Sequence, residues 1–554
     1  MLSRRAQPVQ LGQTAWAWIG VTPFFVFALM FLIVPTLYLV VGAFQDPAGN
    51  FTLANLVQLF TQSSIRSAYW ISIKVSLASA IFGGLLGFAL AYAAMIGGLP
   101  QWIRPTLMTF SGVASNFAGL PLAFAFLATL GRTGLVTTLL VTFFDFNIYS
   151  TGFNLLSFWG LTLTYLYFQI PLMVLIITPA LDGLKREWRE ASAILGASYW
   201  EYWRYVALPI LWPAIIGTTL LLFANSFGAI ATAYALTGSS LNIVTILLYA
   251  QIRGDVLHDP NLGYALALGM ILVTGLSNGA YIWLRAPQRP VAAMKQAKLG
   301  SWIAIIVGSL YFIVPLIGTF EFSMRMRRGE YSFAAYRVVF VDPNFQATFA
   351  YSTMMALATI VIGVVLVVPT SYWIQLRLQK LRPLVEFITL MPLVIPAIVI
   401  VFGYLRLYNS SSILPMTASA RSTDLLLAFS YVTLALPYMY RAVDTGMRAI
   451  DVRTLTEAAE NLGAGWPTVL FRVILPNVRV AILSGAFLTF ATVIGEFTMA
   501  SLLNRPAFGP YLQLIGANRA YEPSALAVIA FVVTWACMGL INVVGRGKQI
   551  KATP

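Results

Sequence analysis

Only 10% of this 554-residue chain is charged, so a regular pattern of reactive or polar residues stands out against it. The clearest pattern occurs twice. Trp188 to Pro209 reads WREASAILGASYWEYWRYVALP, and Leu455 to Pro476 reads LTEAAENLGAGWPTVLFRVILP. Glu190 and Glu457, Gly196 and Gly463, and Pro209 and Pro476 are each 267 residues apart. These residue types do not make a catalytic set. They suit non-covalent docking, because small side chains such as Ala191, Ala193, Ala458 and Ala459 let another protein surface approach closely. Trp188, Ala191 and Leu195 fall at i, i+3 and i+7, which predicts one apolar stripe on a helix. Leu455, Ala458 and Leu462 repeat it. Gly196 and Gly463 stand where a helix would end, since glycine takes left-handed dihedrals without steric cost. Ala197 and Ala464 follow, then a second short amphipathic helix, and Pro209 or Pro476 marks re-entry into apolar sequence.

Other chemistry is sparse. A phosphate-binding loop would read G-x-x-x-x-G-K-[ST], and the nearest approach, Gly547-Lys548-Gln549, lacks the upstream glycine and the hydroxyl. The single histidine, His258, is flanked by Asp255 and Asp259 and reads as a polar loop, so no metal site is expected. The single cysteine, Cys537, excludes an intramolecular disulfide. Within apolar sequence the clearest ionisable group is Glu496, whose counterpart 267 residues earlier is Ala229. An intramembrane carboxylate is a candidate for a solute path. Glu496 could attract a cationic solute or be hydrogen-bonded to a neighbouring helix, and both readings stay open. Asn225, Ser226, Ser115 and Asn116 are weaker polar candidates for the same path. Glu386 and Lys74 lie near the ends of apolar runs and are expected to snorkel.

The elements that carry these residues follow from composition. The chain is 59% hydrophobic and 14% aromatic, whereas soluble domains are about a quarter charged. It is therefore read as an all-α integral membrane protein, since a helix satisfies its own backbone in hydrocarbon. A span needs about 20 apolar residues. Six are expected at 16–41, 70–97, 105–130, 155–180, 207–235 and 263–285, and six more at 302–320, 350–375, 384–407, 424–442, 477–502 and 524–544. The first run is too long for a signal-peptide core. Residues 1–290 and 301–554 then form two halves, with 285–300 (Arg285 to Gly300, four basic residues and no acid) as a cytoplasmic linker. The net charge of +15 reflects cytoplasmic Lys and Arg rather than nucleic-acid binding. With both termini inside, Arg4, Arg5, Arg285, Lys548 and Lys551 fall on the cytoplasmic side, as do the motif segments 182–209 and 449–476. Arg325, Arg327, Arg328 and Arg337 fall outside, facing a partner protein or anionic headgroups. The repeat extends to Phe223-Ala224 and Phe490-Ala491 and to Gly228 and Gly495. These are parallel repeats about an axis along the membrane normal.

EASAILGA and EAAENLGA, each followed by a distant Leu-Pro, resemble the EAA loop of permease subunits of type I bacterial ATP-binding-cassette importers. The chain resembles two such subunits fused. That fusion is similar to the ferric-iron and thiamine permeases, and Ser115–Gly131 and Gly509–Phe531 are similar to permeases grouped with polyamine, ferric-iron and 2-aminoethylphosphonate uptake. Ser192 departs from the loop pattern where the second copy has Ala459, but it is equally small. The resemblance implies that Glu190, Ala191, Leu195, Gly196, Ala197 and Pro209, with Glu457, Ala458, Leu462, Gly463, Ala464 and Pro476, dock two separate ATPase subunits. It implies no cofactor on this chain, with ATP and Mg held by those partners. It also implies a periplasmic solute-binding protein, a bacterial inner-membrane location and a small polar or ionic solute. The alternative is an ion-coupled secondary transporter, which also has two six-helix halves but needs protonatable groups at mid-membrane.

Overall fold

The computed structural model describes residues 11–115, 117–254, 260–284, 299–327 and 329–546. The expected sites at Arg4, Arg5, Asn116, Asp255, His258, Asp259, Arg328, Gly547, Lys548 and Lys551, and linker residues 285–298, lie outside them. The first half contains α1 (Trp16–Gly42), α2 (Ser63–Met95), α3 (Ile103–Ala114), α4 (Leu120–Leu130), α5 (Leu135–Phe144) and α6 (Phe158–Asp182). It continues with α7 (Arg186–Ile194), α8 (Leu208–Gly228), α9 (Ala231–Thr237), α10 (Val244–Arg253) and α11 (Pro260–Leu284). The second half contains α12 (Leu299–Ser323), α13 (Pro343–Leu376), α14 (Arg382–Val394), α15 (Ala397–Leu407) and α16 (Ala420–Arg448). It ends with α17 (Val452–Asn461), α18 (Leu475–Ile494), α19 (Thr498–Leu502), α20 (Phe508–Asn518) and α21 (Glu522–Arg546). Every first-half helix has a second-half counterpart except α5. Apart from two isolated bridges, no strand forms among the described residues.

The described helices agree with the expected all-α set of about twelve spans, α21 covering the last of them, but not every span is continuous. Ten described helices are long and apolar enough to cross a membrane, and an eleventh forms if α14 and α15 count as one broken span. Both expected third spans are interrupted. In the first half α3 ends at Ala114 and α4 begins at Leu120, with Gly119 at φ +85° and Pro121 in the first turn of α4. In the second half the chain bends by 98° at Ile395-Pro396. A residue before proline is pushed out of the helical region, and Ile395 is accordingly extended. The fifth spans also break, at Ala229-Ile230 and at Gly495–Phe497.

The two halves interlock. α1 packs on α13 of the other half, with Gly20 against Trp373, and α12 packs on α2, α4 and α21. Within each half the closest packing joins α2 with α6 and α16 with α18. Leu85 and Val365 stay exposed on the rim, as lipid-facing residues do. Chain direction places both motif loops at one end of the bundle. Gly97, just past α2, touches Ser301 at the start of α12. α12 then crosses away and α13 crosses back, so α2 and α13 finish at the same end. The first loop braces on the end of α2, where Tyr92 and Tyr199 hydroxyls bond and Tyr92 meets Trp203 edge-on. The second braces on the end of α13, through Tyr372 with Thr456 and Trp373 with Trp466.

Candidate functional site: two exposed loops and four helix breaks

Each loop is a short helix closed by the same cap. In the first, the Ala197 N–H donates to Ser192 O at 2.9 Å and the Gly196 N–H to Ala193 O at 3.0 Å. In the second, the Ala464 N–H donates to Ala459 O at 3.0 Å and the Gly463 N–H to Glu460 O at 2.9 Å. This paired pattern is the Schellman closure, which places glycine in the left-handed region; Gly196 has φ +78° and Gly463 φ +83°. Ser192 and Ala459 both enter through their carbonyls, so the one departure between the copies leaves the cap intact. Further on, each copy has a π turn, Trp203–Ala207 and Val469–Ile474, directly before the helix that carries Pro209 or Pro476. Proline supplies no N–H to the preceding turn, which suits a wider turn there.

The predicted stripe splits in space. Trp188 and Leu455 are half-buried, while Ala191, Leu195, Ala458 and Leu462 are exposed. Leu195 and Leu462 occupy the cap position with near-zero ψ, and this turns them off the helical register. They are 86% and 89% exposed, which is unusual for leucine beside a packed bundle. Glu190, Gly196, Glu457 and Gly463 are exposed with them, and Arg453 pairs with Glu457 at 2.8 Å. Ala197 and Ala464 are half-buried behind this surface. The bundle-facing side of α17 is instead Val452 and Thr456. Each protomer-like half therefore presents a matched apolar tip, rimmed by a carboxylate, at the same end of the molecule.

The four helix breaks converge between the halves. A Cβ placed on Gly119 would lie 3.5 Å from Gly495 O, and one on Gly228 would lie 3.4 Å from Pro396. Thus the third-span break of each half touches the fifth-span region of the other. Within the first half, Thr232 locks the third-span break to the start of α9. The Gly119 N–H donates to Thr232 Oγ1 at 2.7 Å, and that hydroxyl donates back to Gly119 O at 3.0 Å. The Tyr165 hydroxyl donates to Ala229 O at 2.9 Å, satisfying a carbonyl freed by the fifth-span break. Non-helical backbone at membrane depth occurs where protein or a water-filled path surrounds it.

Glu496 sits in the matching break of the second half. Its carboxylate accepts from the Met499 N–H at 2.9 and 3.0 Å and from the Ala500 N–H at 3.3 Å, capping α19. These donors come from the backbone of α19, the helix that follows the break. The buried Tyr431 hydroxyl lies beside it. Phe497 stacks on Tyr234 and Tyr249 of the first half, and Tyr249 bonds Ser501 at 2.7 Å. The other path candidates separate. Ser226 is buried and bonds Ser76 O and the Leu222 and Phe223 carbonyls, so it fastens α8 to α2. Asn225 points to the exposed side, and Ser115 ends α3 with its hydroxyl on Gly112 O. Glu386, 42% exposed near its helix end, pairs with Arg382 at 2.9 Å and Arg448 at 3.0 Å. Lys74 stacks over Trp70. No group of three or more metal-ligating side chains occurs among the described residues.

Sequence reading missed Tyr165, Tyr431, Gly119 and Thr232. A signal existed for the tyrosines: Tyr165 stands six residues before Pro171 and Tyr431 six before Pro437, in equivalent helices.

The profile of the family described as "Binding-protein-dependent transport system inner membrane component" matches residues 83–289 and again residues 347–545. Similar chains include a "Probable ABC transporter permease protein y4fN" of Sinorhizobium fredii, 24% identical over 93% of each chain. A "Putative ferric transport system permease protein FbpB 1" of Haemophilus influenzae is 24% identical over 83% of this chain and 73% of its own. The "Thiamine transport system permease protein ThiP" of Escherichia coli is 25% identical over 88% of this chain and 89% of its own. With the family's unit matched in both halves, each time with one capped loop and two broken spans, the chain belongs to the inner-membrane components of binding-protein-dependent transport systems, as two units in a single polypeptide.

Proposed function

We propose that this chain is the permease of an ATP-binding-cassette importer, and that its two exposed loops are the sockets for two ATPase subunits. The observation that carries the docking reading is the matched exposure of Leu195 and Leu462 beside identical glycine caps. Large apolar tips left bare at the end of a packed bundle mark an interaction surface. ATP and Mg would be held by those partners, and no hydrolytic role falls to this chain. The loop-bearing end is cytoplasmic in this reading, with both termini on that side. The solute-binding protein then delivers to the opposite end.

The translocation path runs through the junction of the four breaks. Closure of the ATPase pair draws the two loops together. Because α1 and α12 are each seated on the opposite half, that motion shears the breaks past one another instead of separating two independent blocks. Relatives named for ferric iron and thiamine support a small polar or ionic solute. Glu496 supplies one negative charge at the junction. A cationic solute fits that charge.

Two measurements test the reading. In proteoliposomes, uptake should require the ATPase and ATP; uptake driven by a proton or sodium gradient with the chain alone would instead establish the secondary-transporter alternative. Glu496→Gln keeps an oxygen for the Met499 N–H but removes the charge. Uptake should fall about tenfold or more, as expected for losing a poorly screened charge near the solute. Unchanged uptake would remove Glu496 from the path and leave it as a helix cap.

A further inference from the structure

At the end of the bundle opposite the loops lies a groove of about 360 Å³ lined by Arg132, Thr133, Thr137, Thr138, Val141, Thr142, Asn147 and Arg325. It joins the two halves, since Arg325 belongs to the second half and the rest to the first. Its wall helix α5 has no counterpart among the described residues of the second half. We propose that this groove holds the phosphodiester of an anionic phospholipid headgroup.

The charge fits. Arg325 Nε is held by Glu321 at 2.7 Å and its Nη1 donates to Thr133 O at 2.9 Å, so its cation is fixed in place and matched by one carboxylate behind it. Arg132 is exposed and lies over the Tyr149 ring at 5.4 Å. The groove therefore carries one uncompensated positive charge, facing a phosphodiester's single negative one. Guanidinium groups favour phosphate through paired N–H donors. Thr137 Oγ1 stands in the groove wall, 97% buried by its residue's 3% exposure, and has no hydrogen-bond partner.

The depth fits as well. Arg325 lies two residues past the end of α12 and Arg132 two past the end of α4. A 25-residue helix outspans the hydrocarbon core by a few ångströms, which brings residues just past its end to the phosphate layer. A soluble anion would not account for the rest of α5. Leu139, Val141, Phe143 and Phe144 are 43, 42, 73 and 75% exposed on this ten-residue helix. A lipid covers both features, with phosphate on the arginines and acyl chain against the apolar side.

The test uses the purified full chain after delipidation, with lipid retention read by native mass spectrometry. Dioleoyl phosphatidylglycerol should be retained over dioleoyl phosphatidylcholine. Arg132→Gln, at an exposed position that leaves the fold intact, should lower phosphatidylglycerol retention roughly five-fold, the upper end for one exposed ion pair. Arg132→Lys should keep part of it. Equal retention of the two lipids, or no effect of Arg132→Gln, overturns the proposal. So does protection of the chain by millimolar inorganic phosphate to the same extent as by phosphatidylglycerol, since the ligand is then a soluble anion. If Arg132→Gln leaves lipid retention unchanged but weakens capture of the solute-binding protein, the groove belongs to that protein and the proposal falls.

Discussion

Replacing Gly196 and Gly463 separates the shape of the loops from their bulk. At both positions a Cβ would meet nothing within 4 Å, so the chain itself offers no steric objection to any side chain. What remains is backbone conformation. An L-residue in the left-handed region costs about 1–2 kcal/mol relative to glycine, and asparagine costs less because it visits that region more readily. If the ATPase recognises the capped shape, that cost appears in binding: about 1–2 kcal/mol is roughly a 5- to 30-fold loss of affinity per loop. Tryptophan adds volume at the contact and should lose more. The expected order of ATPase affinity is therefore glycine, asparagine, alanine, tryptophan. The permease's own thermal unfolding should hardly change, because the loop tips are exposed and bury little. Surface binding of the detergent-solubilised permease to purified ATPase measures the first quantity, and thermal unfolding followed by tryptophan fluorescence measures the second. If tryptophan at both positions leaves affinity within about twofold, the loops are not the sockets. If all three substitutions lower affinity equally and also lower the unfolding temperature, the glycines serve folding and not recognition.

Other substitutions probe the parts that connect loops to breaks. Thr232→Val removes two hydrogen bonds to Gly119 and strands a buried N–H, so it should destabilise the permease by about 2 kcal/mol and impair uptake more than Ser226→Ala, which touches only the α8–α2 contact; thermal unfolding and uptake together check this. Asp444 pairs with Arg448 at 2.6 Å and Arg382 at 3.2 Å with its side chain only 8% exposed, whereas the analogous Arg104–Asp182 pair at 2.5 Å is 41 and 22% exposed. Asp444→Ala should therefore cost about 2–3 kcal/mol, toward the range for a broken buried pair, and Asp182→Ala less than about 1 kcal/mol; unfolding of the two variants side by side decides. Asp451 caps α17, accepting from the Thr454 N–H at 3.0 Å and the Thr454 hydroxyl at 2.7 Å, and these bonds hold its carboxyl below the usual range. A depressed folded pKa stabilises above the unfolded value near 3.9, so α17 should keep its amide-exchange protection from neutral pH down to about 4 and lose it as acid protonates Asp451. Asp451→Ala should show that loss already at pH 7, while α7, which has Lys185 at its cap position and no side-chain cap bond, should be insensitive.

The loops were readable in the sequence because they are polar islands in apolar surroundings, and because Glu190, Gly196 and Pro209 recur with identical spacing. Glycine at a helix end has a specific stereochemical meaning, so even the left-handed caps could be anticipated. The breaks were not readable in the same way. Hydropathy averages over a whole span, and Ser115–Gly119, Ala229-Ile230 and Ile395-Pro396 are small or apolar enough to leave that average high. Pro396 reads as a kink from sequence, yet the bend is 98° because α15 packs across α1, and that packing is tertiary. Thr232 resembles many other threonines that bond back along their own helix. Its partner lies 113 residues away, and nothing local distinguishes it. The apolar stripe on each loop was misplaced for a related reason. Helical spacing assumes the helix continues, whereas the cap ends it one residue before Leu195 and turns that side chain outward.

Fusion of two units gives the unequal halves a physical consequence. In a symmetric dimer, any residue at the junction appears twice across a short distance. A carboxylate in place of Ala229 as well as at Glu496 would put two like charges at the half-buried helix breaks, each with the cost of an imperfectly solvated ion. In this chain the first half closes its break with the Tyr165 hydroxyl on a backbone carbonyl. The second half places the equivalent Tyr431 beside a carboxylate. The tyrosine is kept and the carboxyl group is single. The same freedom allows α5 and its basic groove to occur in one half and the Asp451 cap in the other. The loops, by contrast, meet two copies of one partner in this scheme, and they are the part that stays matched, down to the donor and acceptor of each cap bond. Symmetry is retained where the proposed partner is symmetric and is lost at the helix breaks, where the second half alone carries Glu496.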